Sequence, residues 1–135
     1  DWCWNMNPFQ VTDETRAMVL DNITAMLSRF LACAELDYVI FGWVMHQPEI
    51  AESILNRLEL HGVKKMHYTL LCSEQTLSQR IERDVQAGVR YADALERSMT
   101  YLPLYASQNT VKLMTDGLSP QEIAEWIIEH GLKEC

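Results

Sequence analysis

Four of the chain's seven arginines, Arg80, Arg83, Arg90 and Arg97, lie in one stretch that contains no lysine. A guanidinium fork matches phosphate oxygens better than an ammonium does. Arg80 and Arg83 are one turn apart on a helix, so both can address one point. The stretch therefore reads as an anion site. Glu74, Glu82, Asp84, Asp93 and Glu96 occupy the same region, so a solvated face of local salt bridges is the competing reading. The first predicts a bound sulfate or phosphate near at least two of the four arginines. The second predicts guanidiniums spent on neighbouring acids.

Other candidates lie nearer the start of the chain. His46 follows the apolar run at residues 38–45 and just precedes a helix start. At the end of a buried strand it would contact a ligand or transfer a proton. The alternative is a loop histidine satisfied by backbone groups. The Asp1 carboxylate could act as a general base, against the plainer reading of a frayed terminus. Trp2, Trp4 and Phe9 offer a stacking wall for a planar substrate or, equally, core. His61, His67 and His130 lack ligand spacing, and no metal site is expected. Cys3, Cys33, Cys72 and Cys135 are far apart with no C-x-x-C pair, which removes zinc-ribbon and thioredoxin readings. Cys33 and Cys72 sit in apolar runs and read as small buried hydrophobes.

The elements that would position these residues follow from periodicity. Thr12 is a good N-cap ahead of Asp13 and Glu14. From about 11 to 33 the pattern is helical, with Val19, Ile23, Met26, Leu27, Phe30 and Leu31 on one stripe. Residues 38–45 are uncharged and show no alternation, which predicts a strand buried on both faces. Pro48 opens a helix to about 60, ended by His61-Gly62. Residues 66–72 predict a second strand. Ser73 caps a helix with Leu77, Ile81 and Val85 inward. A further helix spans about 91–105, bent or broken by Pro103. Residues 110–114 predict a third strand. Ser119-Pro120-Gln121-Glu122 is a capping box, followed by Ile123, Ile127 and Ile128 facing inward, up to Gly131. Strands alternate with helices throughout, so a single α/β domain over 1–135 is expected, three-layer α/β/α with a mainly parallel sheet.

Composition narrows the function classes. The 135 residues carry 11 basic and 19 acidic side chains, a net charge of −8. This argues against a nucleic-acid backbone partner and a polybasic membrane contact. A hydrophobic share of 48% with 22% charged residues excludes disorder. No apolar run approaches the roughly 18 residues of a membrane span, and no signal peptide is visible. A cytoplasmic protein with reduced thiols is the expectation. The chain opens on Asp1 and not on methionine, which reads as a processed or truncated start.

Several segments together resemble the small P-loop kinases, the group of shikimate-, gluconate- and nucleotide-kinase-like proteins. They are Asp1-Trp2-Cys3-Trp4 with Asn7-Pro8-Phe9, the run from Val39 through His46, and His67-Tyr68-Thr69-Leu70-Leu71-Cys72-Ser73-Glu74 with Arg80 and Arg83. The closing pieces are Thr110 to Met114 and Leu118-Ser119-Pro120-Gln121-Glu122-Ile123-Ala124. The resemblance covers nearly the whole chain. It implies an ATP-dependent phosphotransferase acting on a small molecule, with ATP and Mg²⁺ as cofactors. It also implies that Asp1 faces the acceptor hydroxyl and that Arg80 and Arg83 are catalytic. It further implies that Arg90 and Arg97 belong to a phosphate lid over about 80–100 and that Trp2, Trp4, Asn7, Phe9 and His46 line the acceptor pocket.

The chain departs from that pattern in its phosphate loop. No G-x-x-x-x-G-K-[ST] occurs, and the family places it roughly 30 residues ahead of Asp1. The first strand, P-loop, first helix and second strand are all missing, and residues 38–45 end without the acid that often holds Mg²⁺. Tight ATP binding by these residues alone is not expected. The alternative is a non-catalytic binding or interaction module on the same framework, or a purely structural domain. In the family the absent first strand lies between the strands at 38–45 and 66–72. Its absence would leave both with open edges, so self-association to a dimer is expected.

Overall fold

The computed structural model describes residues 2–131. Five helices and two strands follow a short 3₁₀ turn at Trp2–Trp4: α1 (Asp13–Leu31), α2 (Pro48–Leu55), β1 (Tyr68–Leu71), α3 (Glu74–Gln86), α4 (Ala94–Ser107), β2 (Val111–Met114) and α5 (Pro120–Gly131). The chain is of mixed α/β class. It divides into two compact units, Asp1–Val63 and Lys64–Cys135.

In the first unit α1 starts where its capping residues place it. Thr12 Oγ1 accepts from the Thr15 N–H at 3.1 Å, and Thr15 Oγ1 accepts from the Thr12 N–H at 2.9 Å. A threonine thus completes a capping box usually closed by Glu or Gln. The core is narrower than the expected stripe. Val19 and Ile23 of α1 are buried with Ile54 of α2, Leu27 is half-buried, and Met26 and Phe30 are exposed. Pro48 opens α2, which stops at Leu55 and not near 60. Arg57 and Leu58 donate to Ile54 and Leu55 carbonyls, tightening the exit into i→i+3 turns. Cys33 is exposed, not buried, because α1 has already ended at Leu31.

The expected strand at 38–45 does not form. A strand exists only through a neighbour, and among the described residues no backbone hydrogen bond involves residues 38–44. Nor is the run buried on both faces. Phe41, Trp43 and Met45 pack against Val19, Ile23 and Ile54. Tyr38, Ile40 and Val44 face outward, Ile40 with 96% of its surface exposed. This inward–outward alternation marks an extended backbone lying on the two helices.

In the second unit β1 and β2 pair in parallel, with Tyr68 opposite Val111 and Leu71 opposite Met114. Both strands fall inside the stretches predicted for them. The crossover between them is α3 followed by α4. Leu71, Ile81, Ala94 and Leu113 are the buried apolar residues here. Ser73 caps α3 by accepting from the Thr76 N–H. α4 runs through Pro103 without a break. Pro103 is on the exposed side, so its ring displaces no packed neighbour, and its cost is confined to one lost backbone bond and crowding against the carbonyl of Met99. The box at Ser119 and Glu122 forms in both directions. Ile128 is 54% exposed, not inward. Trp126 makes the α5 contact instead, edge-on to Tyr68 at 6.1 Å and stacked on His130 at 4.0 Å. The Tyr68 hydroxyl is buried beside Gly131.

Candidate functional site

The polar side chains of the second unit converge at the carboxyl ends of its two strands, where parallel sheets bind ligands. Thr115 extends the ladder by one residue. Its N–H and its hydroxyl both donate to the Leu71 carbonyl, at 2.7 and 2.9 Å. This brings Asp116 beside the start of α3. Its carboxylate accepts from the Ser73 N–H, at 3.1 Å to one oxygen and 3.0 Å to the other, and from the Ser73 and Thr76 hydroxyls. These hydroxyl bonds, Ser73 first and then Thr76, hold the Asp116 carboxyl below its ordinary range. The positive end of the α3 dipole favours the same charge.

Arg80, one turn further along α3, reaches back to β2. Its Nη1 donates to Thr115 Oγ1 at 3.1 Å and its Nη2 to the Thr115 carbonyl at 2.8 Å. Cys72 directly precedes the cap Ser73 and feels the charges of both Arg80 and Asp116. Burial pushes its thiol up, Arg80 pulls it down by less, and Asp116 adds a further upward push. The thiol therefore stays protonated at neutral pH and is a poor nucleophile.

The Asp116 cluster has a definite pH signature. Its carboxyl is depressed in the folded protein, so its contribution to stability is complete above the ordinary aspartate pKa. That contribution is lost as pH falls through the lowered folded value. Urea unfolding from pH 6 down to pH 2 should show acid destabilisation that is smaller in Asp116→Asn. An unchanged acid limb in that variant would contradict the assignment.

The other arginines are placed differently. Arg90 Nε pairs with Asp84 Oδ2 at 2.9 Å, and Arg97 Nη1 pairs with Asp93 Oδ2 at 3.2 Å. Arg83 is exposed and has no ion pair among the described residues. Arg90 and Arg97 thus sit on local acids as a solvated face would have them, while Arg80 is anchored at the strand ends. Ser73 was expected from the sequence as the cap of α3 and forms it, whereas Thr115 and Asp116 were given no role there. The available signal was the N-cap serine followed, one strand later, by a carboxylate at the matching strand end.

In the first unit Trp4 is half-buried, 5.3 Å from the Phe9 ring and 6.5 Å from that of Trp43. The Asn22 amide donates to the Cys3 carbonyl at 3.0 Å and ties this segment to α1. Trp4 and Phe9 are therefore brought together, with Trp43 as an aromatic partner that the sequence reading had placed in a strand. Trp2 is 90% exposed and Asn7 is exposed. His46 is half-buried beyond Met45. Asp1 lies outside the described residues.

These residues do not by themselves fit ATP and Mg²⁺. The donors at the α3 N-terminus are taken by Asp116, whose charge would repel a phosphate. No group of three or more His, Cys, Asp or Glu side chains that could hold a metal occurs among the described residues. No helix among them is long and apolar enough to cross a membrane. Comparison of the chain with protein-family models, curated proteins and solved structures gave no match.

Proposed function

We propose that this chain is the larger part of a kinase-like fold that transfers phosphate to a small molecule. The phosphate-cradling loop, and the remaining strands of a three-layer sheet, would come from residues outside these 135. The observation that carries the reading is Arg80. Of the four clustered arginines it alone is fixed at the carboxyl ends of two parallel strands, where a phosphoryl group bound by such a sheet would lie. In this reading Arg83 joins Arg80 on the phosphate oxygens. Residues 80–100 form the lid, with Arg90 and Arg97 exchanging Asp84 and Asp93 for the ligand. By the same resemblance Trp2, Trp4, Asn7, Phe9 and His46 are the candidates for acceptor contacts, and Asp1 is the candidate base for its hydroxyl.

One observation favours the second reading, a non-catalytic binding module. Asp116 already fills the α3 N-terminus, so that end of the helix does not await an anion. Calorimetry separates the two. The 135-residue chain should bind Mg-ATP in the millimolar range or more weakly, because its backbone phosphate donors are lacking. A longer product that includes the residues encoded ahead of Asp1 should bind at least about a hundred-fold more tightly. Micromolar binding by the 135 residues alone would overturn this account. So would an upstream coding sequence with no G-x-x-x-x-G-K-[ST].

A further inference from the structure

The extended segment at 38–44 presents seven consecutive residues whose backbone groups bond to nothing among the described residues. Its outward row, Tyr38, Ile40 and Val44 interrupted by Gly42, is apolar, with Tyr38 59%, Ile40 96% and Val44 56% exposed. Free backbone edges on an apolar extended segment are a template for another strand. We propose that the occupant is the same segment of a second copy, paired antiparallel about a two-fold axis at Gly42. This inference is independent of the kinase reading.

Three features of the segment select that occupant. Pairing about Gly42 sets Ile40 opposite Val44 and Tyr38 opposite His46, so outward residues meet outward residues and Phe41 meets Trp43 on the inner side. A register displaced by one residue would oppose the two faces. Secondly, the chain carries a net charge of −8, yet residues 38–44 carry none. The flanking Asp37 comes opposite Gln47, so no like charges meet anywhere along the ladder. Thirdly, Gly42 stands at the axis, and nothing lies within 4 Å of the position its Cβ would take. Two backbones can therefore approach there unobstructed.

Sedimentation equilibrium of the 135-residue chain at micromolar concentration should give twice the 15.6 kDa monomer mass. Successive N–H groups along a strand point to opposite edges. Ile40→Pro therefore blocks one edge and Val39→Pro the other. Whichever edge faces the copy, one of these two variants should raise the dimer dissociation constant at least about a hundred-fold. Its helical circular dichroism should stay that of the parent, since no backbone bond of the single copy is lost. In Gly42→Cys, mild oxidation should give a covalent dimer whose link maps to position 42 in both copies. A monomeric parent, two proline variants that dimerise like the parent, or a dimer with no link between the two positions would each overturn the proposal.

Discussion

Ile54→Ala is expected to destabilise the first unit by about 2–5 kcal/mol, the range for deleting most of a buried isoleucine side chain. Ile54 is 1% exposed and meets Val19 and Ile23, each 2% exposed. Among the described residues these three form the buried apolar cluster of this unit. The surrounding Trp4, Phe41, Trp43 and Met45 are only partly buried, so no second layer shares the load. Alanine would leave a cavity between α1 and α2. The informative control is Ile40→Ala, which makes the same chemical change at a site 96% exposed. In the single copy it should stay within about 0.5 kcal/mol of the parent. Urea unfolding, followed by the fluorescence of Trp4 and Trp43 at low protein concentration, measures both. Equal losses in the two variants would mean that the core is not where the structure puts it.

Arg80→Ala should cost about 1.5–3 kcal/mol, the range for hydrogen bonds to charged groups. The guanidinium holds the Thr115 carbonyl and hydroxyl at once, joining α3 to the end of β2. Arg80→Lys should recover only part of the loss, because an ammonium cannot reproduce the planar fork. Arg97→Ala removes an i,i+4 surface pair with Asp93 and should cost less than about 0.5 kcal/mol. Chemical denaturation of the three variants tests the ranking. If Arg97→Ala proved as costly as Arg80→Ala, Arg80 would lose its claim to a special position.

Legibility followed the range of the interaction. α1, α3 and α5 begin where Thr12, Ser73 and Ser119 predict, because a cap is decided within four residues. The parallel strands were visible as short apolar runs bounded by helices. The state of residues 38–45 was hidden, because inward Phe41, Trp43 and Met45 alternate with outward Tyr38, Ile40 and Val44, all of them apolar. Whether such a run pairs depends on a neighbour the run does not encode. Arginine spacing gave the type of the anion candidates, but not that Arg90 would settle on Asp84 while Arg80 crossed to Thr115. Asp116 was missed for the same reason. It meets Ser73 across 43 residues of chain, and only the register of β1 and β2 brings them together.

The close approach at the end of α5 has a consequence for the spacing of the second unit. A Cβ on Gly131 would stand 2.8 Å from the Tyr68 hydroxyl oxygen and 3.7 Å from the ring carbon that bears it. The tyrosine has little room to retreat, because Trp126 meets its ring edge-on. Gly131 is needed here for its missing methyl group, since its backbone is not in the left-handed region. That vacancy acts as a gauge block between a helix end and the first residue of a strand. Any side chain at Gly131 would have to move the tyrosine ring or lift the last turn of α5 away from β1.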